Sequence, residues 1–265
     1  MNKLIISVED ARIMDEETCR RKNLSTMDLI KQAGEKLALC FREEMHPEKE
    51  QVITVIAGVG NNGCDSMIMG LSLWRIGFLV NFIVVGNERD IRREAWSIIG
   101  AIRTSNGRIL IIDSESKLDL FREFLKRSAF LVDGLFGTGL NKNIEGLYYQ
   151  VISLMNSSSL PIFSVDIPSG LNGNSGKPAN IAVKASLTGI IQCHKYGNLF
   201  GDALDYSGKR KVLEIGLLDD KIIKNKWLLT KEDLRPLPPR RHNSHKYHYG
   251  SVLVVGGSLG MLGAP

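Results

Sequence analysis

Short apolar segments alternate with helical patterns along most of this chain of 265 residues. Two helical patterns come first, over residues 8–22 and 25–44, with Ser25 as the expected N-cap of the second and Pro47 beyond its end. Strands are predicted near residues 52–57, 79–85, 108–112, 129–132 and 161–165. Helices are predicted between and after them, near residues 65–76, 89–104, 116–127 and 145–156. Two later apolar segments, 186–192 and 211–215, are expected to extend the sheet.

Repeated strand–helix units predict an α/β fold with a mainly parallel sheet, because parallel neighbours need a long crossover connection. We expect a Rossmann-like three-layer αβα sandwich, preceded by the two N-terminal helices. In such sheets ligands bind in a crevice beyond the carboxyl ends of the strands. The sequence therefore indicates where a site should lie before any motif is considered.

The composition changes near Asp219, and three regions are predicted from it. Residues 1–220 form the first domain, and residues 221–243 have the proline and charge content of a linker. Residues 244–265 begin a new strand and a glycine-rich turn. One strand and one turn cannot bury a core, so we expect this tail to be the truncated opening of a second domain.

Composition excludes several classes of protein. With 43% hydrophobic and 24% charged residues, the chain is typical of a globular protein. Its net charge of +5 is spread along the sequence without an aromatic-interleaved basic stripe, so no nucleic acid is expected as a partner. The longest apolar segments are too short to cross a membrane. Four cysteines without CxxC spacing favour a reducing compartment, and we expect a cytoplasmic protein.

The segment VITVIAGVGNNGCDS, residues 52–66, is the most informative in the chain. An apolar strand stops at a glycine-rich polar turn before a helix, and such a turn suits a phosphate group. Gly58, Gly60 and Gly63 satisfy the dinucleotide fingerprint, with Glu88 as a candidate acid for the ribose. The same turn also occurs without any ligand, and this alternative stays open.

Three predicted strands end in polar, glycine-containing segments: GVGNNGCDS, VDGLFGTGL and VDIPSGLNG. Since the carboxyl ends of parallel strands meet at one edge, these segments are expected to share a crevice. The polar residues that they bring there are Asn61, Asn62, Asp65, Asp133, Asp166 and Ser169. Asp133 and Asp166 could instead only cap the turns that follow them.

The two aspartates at strand ends are expected to divide their roles. A carboxylate that binds a cation is held ionised and cannot easily exchange a proton. One is then a cation ligand, and the other is an acid or base. Asn62 and Ser169 add neutral oxygen atoms that suit a hard cation.

Several spaced motifs together resemble the NAD(P)H-hydrate epimerase family, the YjeF amino-terminal domain, from about Val8 to Leu218. The motifs are LIKQAG, GVGNNGCD, VDGLFGTGL, VDIPSGLNG and HKYGNLF followed by EIGL. The tail HKYHYGSVLVVGGSLGMLGAP is similar to the start of the ADP-dependent dehydratase domain of bifunctional repair enzymes.

The resemblance implies an enzyme that interconverts the R and S forms of hydrated NADH and NADPH, so that a dehydratase, here expected in cis, can restore the coenzyme. It implies Asp166 as the catalytic acid or base. It implies a potassium ion, one per subunit, on Asn62, Asp133 and Ser169. It suggests a homodimer through the N-terminal helices. The implied substrate-binding residues are Asn61, Asn62, Gly63, Cys64, Asp65, Gly137, Thr138, Gly139, Leu140, Asn141, Lys142, Asn143 and Asp166.

This chain departs from the family pattern GNNGGDG, because Cys64 and Ser66 replace two glycines. A left-handed backbone at Cys64 would cost about 1 to 2 kcal/mol and crowd the phosphate, whereas Ser66 could donate to it. Lys31 replaces the acid that is common in the first motif. Lys195 falls on a family lysine, and it could also be a solvated loop charge.

Two other functions are compatible with parts of the sequence. A catalytically weakened nucleotide-binding or interaction module would keep the fold while its glycine loop changed. An NAD-dependent dehydrogenase would need a proton relay, for which His194 and Tyr196 are weak candidates. Retained acids at two strand ends favour the epimerase.

Overall fold

The computed structural model describes residues 3–222, 226–236, 239–258 and 263. The chain divides into two compact units, Met1–Leu228 and Leu229–Pro265. The predicted domain and linker limits, 1–220, 221–243 and 244–265, stay predictions, and residues 223–225 and 237–238 of the linker lie outside the described residues.

Among its described residues, the first unit contains seven α-helices and nine strands, besides short 3-10 helices. The helices are α1 (Val8–Lys22), α2 (Thr26–Met45), α3 (Asn61–Arg75), α4 (Arg93–Thr104), α5 (Leu118–Arg127), α6 (Gly146–Ser157) and α7 (Ala203–Tyr206). The strands are β1 (Ile5–Ile6), β2 (Val52–Ala57), β3 (Leu79–Val85), β4 (Ile109–Ile112), β5 (Phe130–Gly134), β6 (Ile162–Val165), β7 (Leu187–Ile191), β8 (His194–Lys195) and β9 (Lys209–Leu213).

Seven strands form one parallel sheet in the order β4-β3-β2-β5-β6-β7-β9. The order reverses between β2 and β5, and a crevice forms at such a point beyond the strand ends. The predicted Rossmann-like α/β fold is confirmed. Because β2, β5 and β6 are neighbours, the loops that follow them emerge side by side, as the sequence predicted.

Two hydrophobic cores cover the two faces of the sheet. Alternate residues of β2 separate them, since Val55 joins the core under α2, α3 and α4, whereas Ile56 joins the core under α5 and α6. Phe41 of α2 and Phe121 of α5 are buried in these two cores. Strand residues point alternately to opposite faces, so each strand supplies both layers.

The N-terminal helices have well-formed ends. Ser7 and Ser25 are their N-caps, and each forms a capping box with the residue three positions later, Asp10 or Asp28. The expected cap at Ser25 is therefore present. The sequence analysis missed a second sheet, in which the two-residue strand β1 pairs in parallel with β8, because pairs this short have no detectable period.

The predicted strand in the tail does not form, and this is a correction. Residues 251–257 have no regular structure, and Val252, Leu253, Val254 and Val255 are exposed. A strand needs a partner for its backbone groups and a surface for its apolar side chains. In the described part of the second unit, short 3-10 helices occur at Lys231–Asp233 and Lys246–Tyr249.

No helix in the described ranges combines the length and the apolar character that are needed to cross a bilayer.

The contact between α2 and α3 gives a prediction at Gly34. A Cβ atom there would meet the Ile68 side chain and lie 2.9 Å from the Met69 nitrogen. We expect Gly34→Ala to lower the free energy of unfolding by about 1 to 3 kcal/mol in urea titrations, because this interface cannot expand freely.

Gly100 of α4 is the matched control, since it is exposed and a Cβ atom there would meet nothing within 4 Å. Gly100→Ala should raise the free energy of unfolding by about 0.5 to 1 kcal/mol through helix propensity alone. Equal effects of the two substitutions would contradict the proposed contact.

Candidate active site

A cavity of about 1120 Å³ lies beyond the carboxyl ends of the central strands. Its walls come from the loops after β2, β5 and β6, from β8 and from one side of α1. A volume of this size accommodates a large organic ligand. The strand ends that carried the polar motifs therefore meet at one site.

Gly58 brings the first two loops into contact, and Gly63 lets the first loop pack closely on itself. A Cβ atom on Gly58 would overlap the Leu135 carbonyl oxygen, and one on Gly63 would overlap the Gly58 carbonyl oxygen. The Gly58 N–H donates to the Gly134 carbonyl oxygen at 2.9 Å. These glycines permit backbone to approach backbone, and the role suggested by the fingerprint, approach to a ligand, is not needed to explain them.

Asp133 is fully buried at the end of β5 and accepts four hydrogen bonds. Its Oδ1 accepts from the Ser169 hydroxyl at 2.5 Å and the Leu135 N–H at 3.3 Å. Its Oδ2 accepts from the Ser164 hydroxyl at 2.7 Å and the Ser169 N–H at 2.8 Å. Burial raises the pKa of Asp133, and the hydrogen bonds from Ser169, Ser164 and Leu135 oppose this shift.

Of the predicted cation ligands, Asn62 and Ser169 both hydrogen-bond with Phe136, and Asp133 accepts hydrogen bonds from Ser169. The Asn62 amide donates to the Phe136 carbonyl oxygen at 2.9 Å, and the Phe136 N–H donates to the Ser169 hydroxyl at 2.8 Å. The same hydroxyl lies 3.1 Å from the Phe136 carbonyl oxygen. Carboxylate, amide, hydroxyl and carbonyl oxygens are the ligands of a hard cation, so these residues fit one chemically.

Asp166, directly after β6, has a left-handed backbone with φ of 63°. Three hydrogen bonds hold it there: its N–H donates to Gly189 at 2.8 Å, its carbonyl accepts from Asn198 at 3.1 Å, and its Oδ1 accepts from the Ile191 N–H at 2.9 Å. Non-glycine residues in this region are uncommon and often occur at functional sites. Its side chain is 14% exposed, toward the cavity.

Lys195 forms an ion pair with Asp166, with 2.5 Å between Nζ and Oδ1. Its side chain is 5% exposed, and Nζ also donates to the Ile191 carbonyl at 2.8 Å. Burial alone would lower the pKa of Lys195, but the Asp166 carboxylate overcomes this effect and the pKa is raised. Lys195 is therefore not a solvated loop charge but a buried ammonium ion facing the candidate acid or base.

Two further acids, Asp15 and Asp65, line the same cavity close enough to this ion pair to feel its charges. Burial raises the pKa of Asp15 to about 6, with Lys195 acting against the shift and Asp166 adding to it. Burial also raises the pKa of Asp65 well above its ordinary value, and Asp166 and Asp15 contribute. The Asp15 side chain is exposed to the water of the cavity. Protein atoms nevertheless lie close around its carboxyl group, and they cause the rise in its pKa.

The chain matches the family described as YjeF-related protein N-terminus over residues 26–197, which is more than half of its length. The chain belongs to this family. The sequence resemblance is thus confirmed by an independent comparison, and the matched region contains all three loops of the cavity.

Curated relatives agree with the membership of this YjeF-related chain. It is 30% identical to an NAD(P)H-hydrate epimerase of Lentilactobacillus buchneri, over 83% of the chain and 98% of the relative. It is also 30% identical to the bifunctional NAD(P)H-hydrate repair enzyme Nnr of Thermofilum pendens, over 98% of the chain and 49% of the relative. The chain spans about half the length of the bifunctional relatives that it matches.

The fold of the YjeF-related chain also matches the crystal structure of the yeast protein ynu0, with a TM-score of 0.64. The match covers 73% of this chain and 82% of that chain at 19% sequence identity. At this identity the likeness supports the fold alone.

The structure brings most of the predicted substrate-binding residues of this YjeF-related chain to the cavity wall. These are Asn61, Asn62, Asp65, Gly137, Thr138, Gly139, Leu140, Asn141, Lys142 and Asp166. Gly63, Cys64 and Asn143 are not among the described residues that line it. Asp133 and Ser169 are fully buried and are not among the described residues that line the cavity. The binding roles themselves stay predictions.

The two departures from the family glycines have a structural explanation. Cys64 lies in α3, which starts four residues earlier than predicted. The backbone of Cys64 is therefore right-handed, and the cost of a left-handed backbone at this position does not arise. Burial raises the pKa of its thiol to about 12, which excludes a reactive thiolate. Ser66 is also buried and donates to the Gly63 carbonyl at 2.8 Å, so its hydroxyl is not directed at a phosphate.

The features proposed for other functions are not assembled. Glu88 is exposed and is absent from the described residues that line the cavity, so it does not act as a ribose acid there. His194 is buried, and within the described part of the chain its Nδ1 has no hydrogen-bond partner. Burial lowers the pKa of His194 to about 4. The Tyr196 hydroxyl instead accepts a hydrogen bond from Lys226 Nζ at 2.7 Å, so the two residues do not form the proton relay that a dehydrogenase would need.

The sequence analysis missed the contribution of α1. Asp15 was assigned only to a helix preceding the sheet, yet it lines the cavity. Arg12, Arg20 and Arg92 also line it and were not singled out. The polar residues of α1 at spacings of three and four share one face of the helix, which was a usable signal, but nothing in the sequence indicated what that face covers.

Gly63 gives a prediction for the assembly of the site. Gly63→Ala should lower the free energy of unfolding by about 1 to 3 kcal/mol. The added methyl group would overlap the Gly58 carbonyl oxygen and would push the start of α3 away from Gly58. Gly60→Ala is the control: a Cβ atom there meets nothing within 4 Å, and the φ of −97° suits alanine. We expect the control to change the free energy by less than about 0.5 kcal/mol in the same urea titration.

Proposed function

We propose that this chain catalyses the interconversion of the R and S forms of hydrated NADH and NADPH. The observation that carries the proposal is the Asp166–Lys195 ion pair, held at the wall of a cavity large enough for a nucleotide. The names of the relatives, an NAD(P)H-hydrate epimerase among them, support the same activity.

The charges around the cavity suit a phosphorylated substrate with a neutral reacting ring. Besides Lys195, the cationic side chains among the described residues that line the cavity are Arg12, Arg20, Arg92 and Lys142. The first turn of α3 also faces it through Asn61, and Gly60 at its N-cap has no side chain to satisfy the first N–H groups. Free N–H groups at a helix start attract a phosphate. The carboxyl groups of Asp15, Asp65 and Asp166 lie instead near Lys195.

We assign proton transfer at the hydrated carbon of the nicotinamide ring to Asp166. Its carboxylate is fixed by the Ile191 N–H and by Lys195, so it needs little reorganisation when substrate binds. Lys195, kept as an ammonium ion by its raised pKa, compensates charge changes on Asp166 during the reaction. Positioned acid–base groups are typically worth about 100- to 10,000-fold in rate.

Replacing Asp166 by Asn tests this assignment. The assay contains both epimers of hydrated NADH and an S-specific dehydratase with its nucleotide, so that consumption of the R form reports epimerisation. We expect the wild-type protein to accelerate this consumption, and Asp166→Asn to lower kcat by about 100- to 10,000-fold.

Asp113 provides a matched control, because it also pairs with a lysine, Lys117, at 2.9 Å, but outside the residues that line the cavity. Asp113→Asn should retain the wild-type rate. Full activity of Asp166→Asn at saturating substrate would refute the assignment. Nucleotide binding by the wild-type protein without any acceleration would instead support the weakened binding module.

A potassium ion forms part of the proposal. Asn62, Asp133 and Ser169, with the Phe136 carbonyl between them, would hold it. When bound, it would supply positive charge next to the substrate loop and would rigidify the loop after β5. Asp133 would then be the ionised ligand, and Asp166 would be the acid that exchanges protons. This division agrees with their partners, which are neutral donors around Asp133 and a lysine beside Asp166.

Ser169→Ala and Ser164→Ala separate the ion from the buried carboxylate, since each removes one hydroxyl that donates to Asp133. At ten times its dissociation constant, K⁺ should stabilise the wild-type protein by about 1.4 kcal/mol over tetramethylammonium at equal ionic strength. The same gain should persist in Ser164→Ala and disappear in Ser169→Ala, as measured by thermal unfolding. Loss of the gain in both variants, or in neither, would argue against the assigned ligands.

The remaining proposals concern partners and location. Since the chain aligns with about half of the bifunctional repair enzymes, we propose a dehydratase domain in cis. A homodimer through the N-terminal helices and a cytoplasmic location are proposed on the family resemblance. The four cysteines are free, which is compatible with a reducing compartment.

A further inference from the structure

We propose that Asp15 of α1 is a second acid–base residue of the same site and acts with Asp166 during epimerisation. This inference rests on the proposed function. The two carboxyl groups belong to distant parts of the chain, one on a helix outside the main sheet and one at the end of β6, yet both line one cavity.

The position of α1 is well defined, so Asp15 is not placed by a mobile loop. The Val8 N–H at the start of α1 donates to the Asn174 side chain at 2.9 Å, and the Leu218 N–H donates to the Thr18 hydroxyl of α1 at 2.8 Å. Met14, next to Asp15, is buried against Leu4 and Ile6. One face of α1 is thereby fixed to the rest of the unit, and its neighbouring face forms the cavity wall.

The chemistry of inversion needs two groups. When the hydroxyl group leaves the hydrated carbon as water, an acid must protonate it, and the lone pair of the adjacent ring nitrogen forms a C=N bond as the C–O bond breaks. Water must then add to the other face of the ring, where a base takes its proton and the C=N pair returns to nitrogen. One carboxyl group has then lost a proton and the other has gained one.

A single carboxyl group on one wall cannot reach both faces of a bound ring. Asp166 is held by a hydrogen bond from the Ile191 N–H of β7, whereas Asp15 reaches the same cavity from α1. Both carboxyl groups line the cavity, so the proton gained by one returns to the other through water in the cavity, and the starting state is restored after each turnover. Asp15, the more exposed of the two, also exchanges its proton with bulk water.

The charged surroundings of Asp15 set the pH dependence. The ionisable groups that face it are Glu16 and Cys19 of α1, Asp65 of α3, Asp166, Cys193 and Lys195. Burial and the neighbouring acids raise the pKa of Asp15 to about 6, against the opposing effect of Lys195. The protonated form of Asp15 is therefore present below about pH 6 and is lost as the pH rises.

The test compares the wild-type protein, Asp15→Asn and Asp15→Glu in the coupled assay over a range of pH. The active form carries one proton on the pair of carboxyl groups, so wild-type kcat/KM should fall as the pH rises through about 6. Asp15→Asn should lower kcat by about 100- to 10,000-fold and should lose this limb of the profile. Asp15→Glu, which keeps a carboxyl group, should recover part of the rate together with the limb.

Asp119→Asn of α5 is the control, since it removes a helix carboxylate that pairs with Arg122 at 2.6 Å, and neither residue is among the described residues that line the cavity. It should retain the wild-type rate and pH profile. Circular dichroism and NADPH binding report whether each variant is folded. If Asp15→Asn does not fold, the wild-type profile and Asp15→Glu still decide the question, because a wild-type profile without the limb overturns the proposal.

The outcomes also separate this inference from the proposed function. A wild-type protein that does not accelerate epimerisation refutes both. A wild-type protein that does, with Asp15→Asn at the same rate, refutes only the role of Asp15. A loss of rate in Asp15→Asn with an unchanged pH limb also overturns proton transfer by Asp15, since a residue that only positions its neighbours would behave in this way.

Discussion

Direct backbone contact between the loops after β2 and β5 sets the geometry of the whole site. Gly58 allows it, because a Cβ atom there would occupy the space of the Leu135 carbonyl oxygen, and Gly63 allows the first loop to pack on the Gly58 carbonyl oxygen. The contact places Asn62 at the start of α3 against the Phe136 carbonyl of the second loop. Phe136 in turn contacts Ser169 of the third loop. Three segments that are distant in the sequence are thereby held in one rigid arrangement, and the cavity floor results from it.

The two strand-end aspartates are stabilised in different ways, and this difference supports different roles. Asp133 is enclosed by hydroxyl and N–H donors and has no access to the cavity. Asp166 has a cationic partner, a left-handed backbone and a side chain at the cavity wall. A buried carboxylate with neutral donors suits a structural cation, whereas one held by a lysine beside an open cavity suits proton exchange. A purely capping role explains the first environment better than the second.

Much of the fold was predictable because its signals are local. The strands of a buried parallel sheet are continuous apolar segments, and the caps of α2 require only a serine and an acid three residues apart. Sequence also indicated that Asn62, Asp65 and Asp166 would meet, since the edge of a parallel sheet brings strand ends together regardless of their separation in sequence. The predictions for Cys64 and Ser66 were less successful, because the start of α3 depends on packing against Gly58 and could not be read from glycine content.

The sequence by itself determined how strands and helices alternate along the chain and at which edge of the sheet the site lies. It also determined which acids follow β5 and β6 at that edge. Periodicity and turn chemistry act over a few residues, so a single sequence contains them. Only the tertiary structure decided that α1 closes the cavity with Asp15, that Lys195 is buried against Asp166, and that the apolar tail at residues 251–257 forms no strand. Each of these depends on which surfaces meet across long separations, and desolvation and pairing of charge arise only when they do.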